Sequence, residues 1–452
     1  MKNKIVYGLL AVMIFFAACK KTANIQKPVI ATSTNKVVKN MFQAAGCQPL
    51  QWLQKVGGYT TMIPDAKGDV YALQGSVVRK ISGSNGAILW AYDFGVVVMK
   101  ILIDGNGNTY GLTLPNTVGS YDTDTYQDLV KVDNNGKQAW YKSVGYTNNY
   151  TPISYPPAHF ISDFGIDGTG NCYLKGTYSV NEGALDLLSG VFYFPGQKPV
   201  GTTVTGNGVF FSKLTPDGTT QGIRSQASGI YIPAHLTVLK DGSLLFVGNH
   251  SQNGLNKIDL LRFDKLGNKA GSVSIETGDP YTGGDDSKIA SDGVNIYVHT
   301  NDLLAKISGS GQLIYKSITP MQNISRSSMT VDKNGNVYFA GNYSQYKGSP
   351  DGLTDFDPGT GEWFLPVPIK SNMFIDEYDA NGKFKQAGGF VTDGNTLSPT
   401  ILATGDNYLY FTGFYTNSIS LDPASHYVIT MTANSYQTTG YGSFLVKYQL
   451  CY

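Results

Sequence analysis

The feature that most constrains the fold is a tight turn followed by a strand-like run, repeated along the chain. Asp, Asn and Gly cap such turns and accept left-handed backbone angles, and the alternating residues that follow suit a pleated strand. The turns begin at Asp65, Asp104, Asp167, Lys240, Ser291, Asp332 and Thr404. Seven copies therefore predict seven hairpins.

Each hairpin is followed by a second sequence signature. It consists of an apolar pair, usually followed by a Lys or Arg, and then another Gly turn, as in "LVKVDNNGKQAWY" from Leu129. The sixth copy, "FIDEYDANG", carries acid where the others carry a base. A unit of four short antiparallel strands cannot bury both of its faces alone, so repeated units must stack on their neighbours. Since closing a ring removes exposed ends, the sequence predicts an all-β fold, a seven-bladed β-propeller.

The two ends of the chain complement each other. The last unit stops at "FLVKYQLCY", where a fourth strand should follow, and "CQPLQWLQKVGGY" from Cys47 resembles that fourth strand. We therefore predict a propeller over residues 47–452, closed by an N-terminal strand that completes the last blade. Cys47 and Cys451 both align with the hairpin turn that the chain break removes. This predicts a disulfide between them in an exported protein, the alternative being two free thiols.

The N-terminus reads as an export signal. Residues 1–18 combine Lys2 and Lys4 with an apolar run and a small-residue pair, the pattern of a signal peptide, which is too short to span a membrane as a helix. Cys19 directly after that pair resembles a bacterial lipobox, which implies a lipidated Cys19 and a lipoprotein of the cell envelope, at the outer membrane. Residues 19–46 then form a polar tether. The alternative is a plain secretory signal with an incidental cysteine.

The units resemble the SBBP, or seven-bladed β-propeller, repeats of bacterial exported proteins. The segment "DGLTDFDPGTGEWFL" followed by "MFIDEYDANGKFKQAGGF" is similar to the longer form of that repeat. Strands such as "NGAILWAYDFG" are more distantly similar to quinoprotein-dehydrogenase repeats, but the adjacent cysteine pair and the cofactor-binding acidic set of those proteins have no match. The resemblance implies a fold rather than an activity, and we expect no cofactor.

Charge and motifs narrow the function classes. The net charge is +1, with basic and acidic residues mixed along the chain, so we expect no nucleic-acid partner and a monomer. The five histidines are scattered without metal-ligand spacing, and no catalytic motif occurs. Asp355 and Asp357 are weak calcium candidates, and Asx-capped turns are the favoured alternative.

Loop lengths predict where a ligand binds. The links from second to third strand are long in units 3, 6 and 7, so sequence accumulates on the face that carries these links and those between units. Aromatic residues on this face can stack against sugars or partner side chains. The speculative ligand-binding residues are the aromatics Tyr146, Tyr150, Tyr155 and Trp363, with a charged set at the channel mouth, Lys100, Asp163 and His235. The alternative for the charged set is a wet channel mouth that tolerates polar residues.

Two function classes remain open. The first is a lipid-anchored, non-catalytic binding or scaffold module for a glycan or a protein. The second is a propeller enzyme, either a lyase or hydrolase that acts on glycans or a quinoprotein relative. Paired carboxylates that converge on a pocket would favour the enzyme.

Overall fold

The structure, a computed structural model, describes most of the chain from residue 50 onward. The described residues are 50–55, 59, 61–117, 125–147, 158–186, 192–193, 203–227, 235–239, 241–252, 255–265, 268–280, 288–300, 303–319, 323–345, 352–368, 370–404, 408–422, 427–430 and 442–450. The predicted leader, Cys19, the tether, Cys47, Tyr150, Tyr155 and Cys451 lie outside them. In the described part, no helix has the length and apolar character needed to cross a bilayer.

The described chain is built of strands, which we group into sheet units numbered along the chain. The first strand is β1 (Leu50–Lys55). Unit 1 comprises β2 (Thr61–Pro64), β3 (Val70–Gln74), β4 (Val77–Ile81) and β5 (Ile88–Asp93). Unit 2 comprises β6 (Val98–Ile103), β7 (Thr109–Thr113), the short β8 (Asn116–Thr117), β9 (Thr125–Val132) and β10 (Gln138–Thr147). Unit 3 comprises β11 (Ala158–Ile166), β12 (Cys172–Asp186), the short β13 (Phe192–Tyr193), β14 (Thr203–Leu214) and β15 (Thr220–Ala227).

The second half repeats the same order. Unit 4 comprises β16 (His235–Val238), β17 (Leu244–Gln252), β18 (Leu255–Phe263) and β19 (Lys269–Pro280). Unit 5 comprises β20 (Lys288–Ser291), β21 (Asn295–Thr300), β22 (Leu303–Ser308) and β23 (Leu313–Ile318). Unit 6 comprises β24 (Ile324–Val331), β25 (Val337–Ser344), β26 (Ser371–Tyr378) and β27 (Phe384–Phe390). The last strands are β28 (Thr396–Thr404), β29 (Tyr408–Tyr415), the hairpin of β30 (Ser418–Asp422) with β31 (Tyr427–Thr430), and β32 (Gly442–Gln449).

The sheets are antiparallel meanders. Units 1, 4, 5 and 6 are separate four-stranded sheets, whereas units 2 and 3 share one ten-stranded sheet because β10 pairs with β11. The remaining four-stranded sheet, unit 7, has the order β1-β32-β29-β28, so the first strand of the described chain pairs with the last. In that pair Leu53 lies opposite Val446. The predicted all-β architecture of four-stranded antiparallel units is confirmed, and it is consistent with a β-propeller.

The first strands of neighbouring units lie against one another. Contacts join β2 to β6, β6 to β11, β11 to β16, β20 to β24, β24 to β28, and β28 back to β2. The first strand of each unit therefore lies on the inner side of its sheet. The tight turns after these strands share one face, which we call the turn face. The links from second to third strands and the links between units lie on the opposite face, the loop face.

The turn residues act as the sequence predicts. One carboxylate oxygen of Asp104 accepts hydrogen bonds from the backbone N–H groups of Asn106 and Asn108, at 2.9 and 3.0 Å. Gly107 in this turn has a φ of +79°, an angle that glycine adopts without strain. Cys172, at the start of the strand after an equivalent turn, is a fully buried free thiol, so it packs as a small apolar residue.

A repeated set of contacts, the Trp clamp, joins consecutive units at their outer strands. The indole N–H of Trp52, Trp90 or Trp140 donates to a backbone carbonyl in the outer turn of the next unit. The acceptors are Gly83 at 3.2 Å, Asn134 at 3.0 Å and Pro216 at 2.9 Å. Gly136 in the second of these turns combines a φ of +83° with an approach that would place a Cβ only 2.9 Å from the Trp90 ring. The turn must therefore carry glycine where the indole covers it.

Lysine and tyrosine reinforce the clamp. Lys131 donates to the same Pro216 carbonyl as Trp140, at 2.9 Å, and lies over the Tyr110 ring, 5.1 Å from its centroid. The Tyr110 hydroxyl reaches the inner turn of unit 3, where it donates to the Gly170 carbonyl at 3.3 Å. The base of the "LVK" signature thus has a structural role, since it pairs with an aromatic face and caps a turn of the next unit.

Candidate functional site

The predicted charged residues lie on the first strands of three consecutive units. Lys100 is in β6, Asp163 in β11 and His235 in β16. The strand pairing shifts register just before two of them, between Val98 and Lys100 and between Ile161 and Asp163. Such bulges redirect a side chain out of the regular alternation.

The structure brings Lys100 and Asp163 together. The Lys100 ammonium lies 2.7 Å from Oδ1 of Asp163 and donates to the carbonyl of Phe164 at 2.8 Å. The Lys100 side chain is 30% exposed and that of Asp163 10%. The pair thus bridges units 2 and 3, and the lysine keeps part of its surface available to a ligand.

Asp163 also bridges to unit 4. Its Oδ1 accepts the N–H of Phe164 at 2.8 Å, and its Oδ2 accepts the N–H of Leu236 at 2.6 Å. His235, half-buried, directly precedes Leu236. Because both carboxylate oxygens already accept strong hydrogen bonds, Asp163 is suited to holding three strands together.

Ser328 repeats this role farther along the chain. It occupies the same position in unit 6, and its Oγ accepts the N–H of Ile401 in unit 7 at 3.2 Å. The inner strand of each sheet leaves backbone groups unpaired at its edge, and these polar side chains supply the missing partners. The polar positions at the channel mouth are therefore explained in part by the joining of strands.

Aromatic residues form a second element of the loop face. Tyr146, at the end of β10, lies opposite Tyr126 at the start of β9, and the ring centroids are 5.4 Å apart. Both rings are half-buried. The sequence analysis did not select Tyr126. Counting paired strand residues away from the "KVDNNGKQAW" turn would have placed it opposite Tyr146.

Trp363 lies in the long link of unit 6 and packs on its own sheet. Its indole N–H donates to the Ala387 carbonyl at 2.9 Å, and its ring meets that of Phe384 edge-on at 5.8 Å. The side chain is half-buried. Trp363 therefore anchors the link, and only its exposed part is left for a ligand.

Asp355 and Asp357 act as turn caps. Asp355 Oδ1 accepts the backbone N–H groups of Asp357 and Trp363, at 3.0 and 2.9 Å, and Asp357 Oδ1 accepts that of Gly359 at 2.8 Å. Across the described residues, no three His, Cys, Asp or Glu side chains are grouped so that they could hold a metal ion. The local hydrogen bonds are those of Asx turns.

Comparisons with known proteins give no family assignment. No protein-family model matches the chain, and the search of curated proteins finds no match. One similar solved structure is a protein of unknown function from Bacteroides caccae, at 12% identity and a TM-score of 0.36, covering 76% of this chain and 94% of that one. Another is described as the mitotic checkpoint complex, at 8% identity and a TM-score of 0.42, covering 99% of this chain and 98% of that one.

Proposed function

We propose that this protein is a lipid-anchored β-propeller of the bacterial cell envelope that binds a glycan or a protein on its loop face without catalysis. In this proposal the seven units are seven blades, and β1 closes the ring. The single observation that carries the binding role is the half-exposed pair of Tyr126 and Tyr146 on that face.

Ring closure is supported by the contacts between units 7 and 1. Lys447 and Trp52 both donate to the Gly83 carbonyl, at 2.7 and 3.2 Å, and Tyr410 donates to the Gly68 carbonyl at 2.8 Å. Lys131, Trp140 and Tyr110 make the same three contacts between units 2 and 3. A closed propeller requires the last unit to contact the first in the same way that consecutive units contact each other.

The envelope address rests on the leader sequence and on the resemblance to SBBP repeats. Replacing Cys19 with Ser should move the protein from the membrane fraction to the soluble fraction and abolish labelling by a palmitate analogue. A Cys19→Ser protein that is still lipid-labelled and membrane-bound would contradict the anchor.

Binding is tested with the soluble fragment from residue 40 onward on a glycan array, and by pull-down of envelope proteins. Tyr126→Ala with Tyr146→Ala should weaken a captured ligand by more than about 1 kcal/mol, the usual cost of losing an aromatic contact. Tyr141→Ala is the matched control, because this 67% exposed tyrosine lies on the same strand, away from the loop face. Undiminished binding by the double variant would move the site elsewhere.

A further inference from the structure

A cleft opens between the outer strands of units 2 and 3. It is lined by Lys142, Ser143, Val144, Leu174, Phe210, Ser212, Leu214, Thr220 and Ile223. The enclosed part has room for about one water-sized group, and the rest is open to solvent. The cleft lies away from the inner strands that carry Lys100 and Asp163.

The corresponding place between units 1 and 2 is filled by aromatic rings. There Tyr92 and Phe94 replace Lys142 and Val144, with ring centroids 5.0 Å apart. The Phe94 ring covers Gly111 so closely that a Cβ there would lie 2.5 Å from it. The two joints share a backbone plan, so the opening between units 2 and 3 results from their side chains.

Lys142 directs a charge into this cleft. Its ammonium donates to Thr220 Oγ1 at 2.7 Å and to the Gly218 carbonyl at 3.3 Å, which leaves one of its three hydrogens for another acceptor. Of the carboxylates that the structure describes, none forms an ion pair with it. Burial lowers the pKa of Lys142, as expected for a cation with no anionic partner.

Ser212 supplies a second polar group in the wall of this cleft. The residue is 8% exposed. The equivalent position in unit 2 is the apolar Val130, which faces the filled joint. The Ser212 hydroxyl can therefore donate a hydrogen bond that the filled joint does not offer.

We propose that this cleft binds the carboxylate group of a small aliphatic acid. The Lys142 ammonium and the Ser212 and Thr220 hydroxyls supply positive charge and hydrogen bonds to the two oxygens. Val144 and Ile223 offer an apolar surface for the aliphatic tail. An anion here compensates the lysine charge, a cost that the filled joint between units 1 and 2 avoids.

Butyrate is the probe, measured by equilibrium dialysis against the full-length chain in detergent, with empty micelles as the blank. We expect saturable binding at one site. Lys142→Tyr, which copies Tyr92, and Lys142→Gln should each weaken binding more than tenfold, and Ser212→Val, which copies Val130, about fivefold. Lys316→Ala removes an exposed lysine from the outer strand of unit 5 and should change nothing.

Three results would overturn the proposal: no saturable butyrate binding to the unaltered chain, Lys142 variants that bind butyrate as tightly as the unaltered chain, or phosphate binding as tightly as butyrate. If Lys142→Tyr does not fold, Lys142→Gln and Ser212→Val still decide the outcome. Loss of loop-face binding in the Tyr126 and Tyr146 variants would leave butyrate binding intact, so the two sites are tested separately.

Discussion

The joint between units 2 and 3 and the joint between units 6 and 7 bring the same kind of sheets together by different means. In the joint between units 2 and 3, three side chains donate hydrogen bonds to backbone carbonyls of the next unit. They are Lys131, Trp140 and Tyr110. In unit 6 the corresponding residues are Glu377, Gln386 and Tyr338. Glu377 accepts hydrogen bonds from Gln386 at 2.7 Å and from Tyr338 at 3.2 Å, within its own sheet.

The joint between units 6 and 7 depends on apolar packing and on the inner strands. Phe390 stacks on Phe411, with centroids 4.8 Å apart and planes at 20°. Ser327 donates to the Pro399 carbonyl at 2.6 Å, beside the bond from Ile401 to Ser328. A carboxylate cannot donate to a carbonyl, so exchanging Lys for Glu removes the outer contact, and a larger apolar interface compensates for it.

The largest expected change in stability concerns the joint between units 7 and 1, where the first and last described strands pair. Cys47 and Cys451 lie outside the described residues, but the last described pair, Leu50 opposite Tyr448, is three positions from each cysteine. A disulfide here closes a loop of about 400 residues, which the chain-entropy model values at roughly 6 kcal/mol as an upper figure. Cys451→Ser should lower the free energy of unfolding by up to this amount in denaturant titrations.

A matched control for the disulfide is Cys172→Ala, which removes the buried thiol and should not alter the effect of reductant. Mass spectrometry of the unreduced chain supplies the direct reading. Free thiols at both Cys47 and Cys451 would show that no disulfide closes the terminal joint.

The next largest change in stability concerns a buried ion pair in unit 6. Arg326 lies 2.5 Å from Asp376, with side chains 2% and 0% exposed, between the rings of Phe339 and Phe374. Arg326→Met leaves a buried carboxylate without its cation and should cost about 3 to 5 kcal/mol. Adding Asp376→Leu should recover most of that loss, as urea unfolding of both variants would measure. A double variant as unstable as the single one would contradict this account.

A smaller change in stability compares the two kinds of joint directly. Trp90→Ala removes a half-buried indole and its bond to Asn134, so we expect a loss of about 2 kcal/mol, less than for a fully buried tryptophan. Gln386→Ala, at the equivalent position of unit 6, should cost about 1 kcal/mol because only a hydrogen bond is lost. Equal losses in thermal unfolding would mean that the indole contributes nothing beyond its hydrogen bond.

Structural features that depend on local sequence patterns can be predicted from the sequence. Features that depend on how two units pack against each other cannot. The Asp104 turn, the strand order and the acid in unit 6 follow from spacing, because capping and alternation are local. The closeness of Lys100 and Asp163 follows from placing equivalent positions on adjacent units. The second bond of Asp163 to Leu236 does not follow, since it depends on the angle between sheets. The cleft at Lys142 likewise appears only when two sheets are packed.

The smallest effect is a pH dependence at the joint between units 5 and 6. His299 is buried, 3.1 Å from Thr319 Oγ1, and its ring contacts that of Phe339 at a tilt of 59°. The positive charges of Lys288 and Arg326 lie nearby. Burial, reinforced by Arg326 and Lys288, holds the pKa of His299 well below its usual range. The unfolded chain takes up a proton near pH 6.5 that the folded chain refuses, so stability should fall as the pH drops below about 6.5. The slope from this one group is at most about 1.4 kcal/mol per pH unit. His299→Gln can retain the hydrogen bond to Thr319. The variant should flatten the plot of unfolding free energy against pH between about pH 6.5 and pH 5. An unchanged slope would assign the acid sensitivity to other groups.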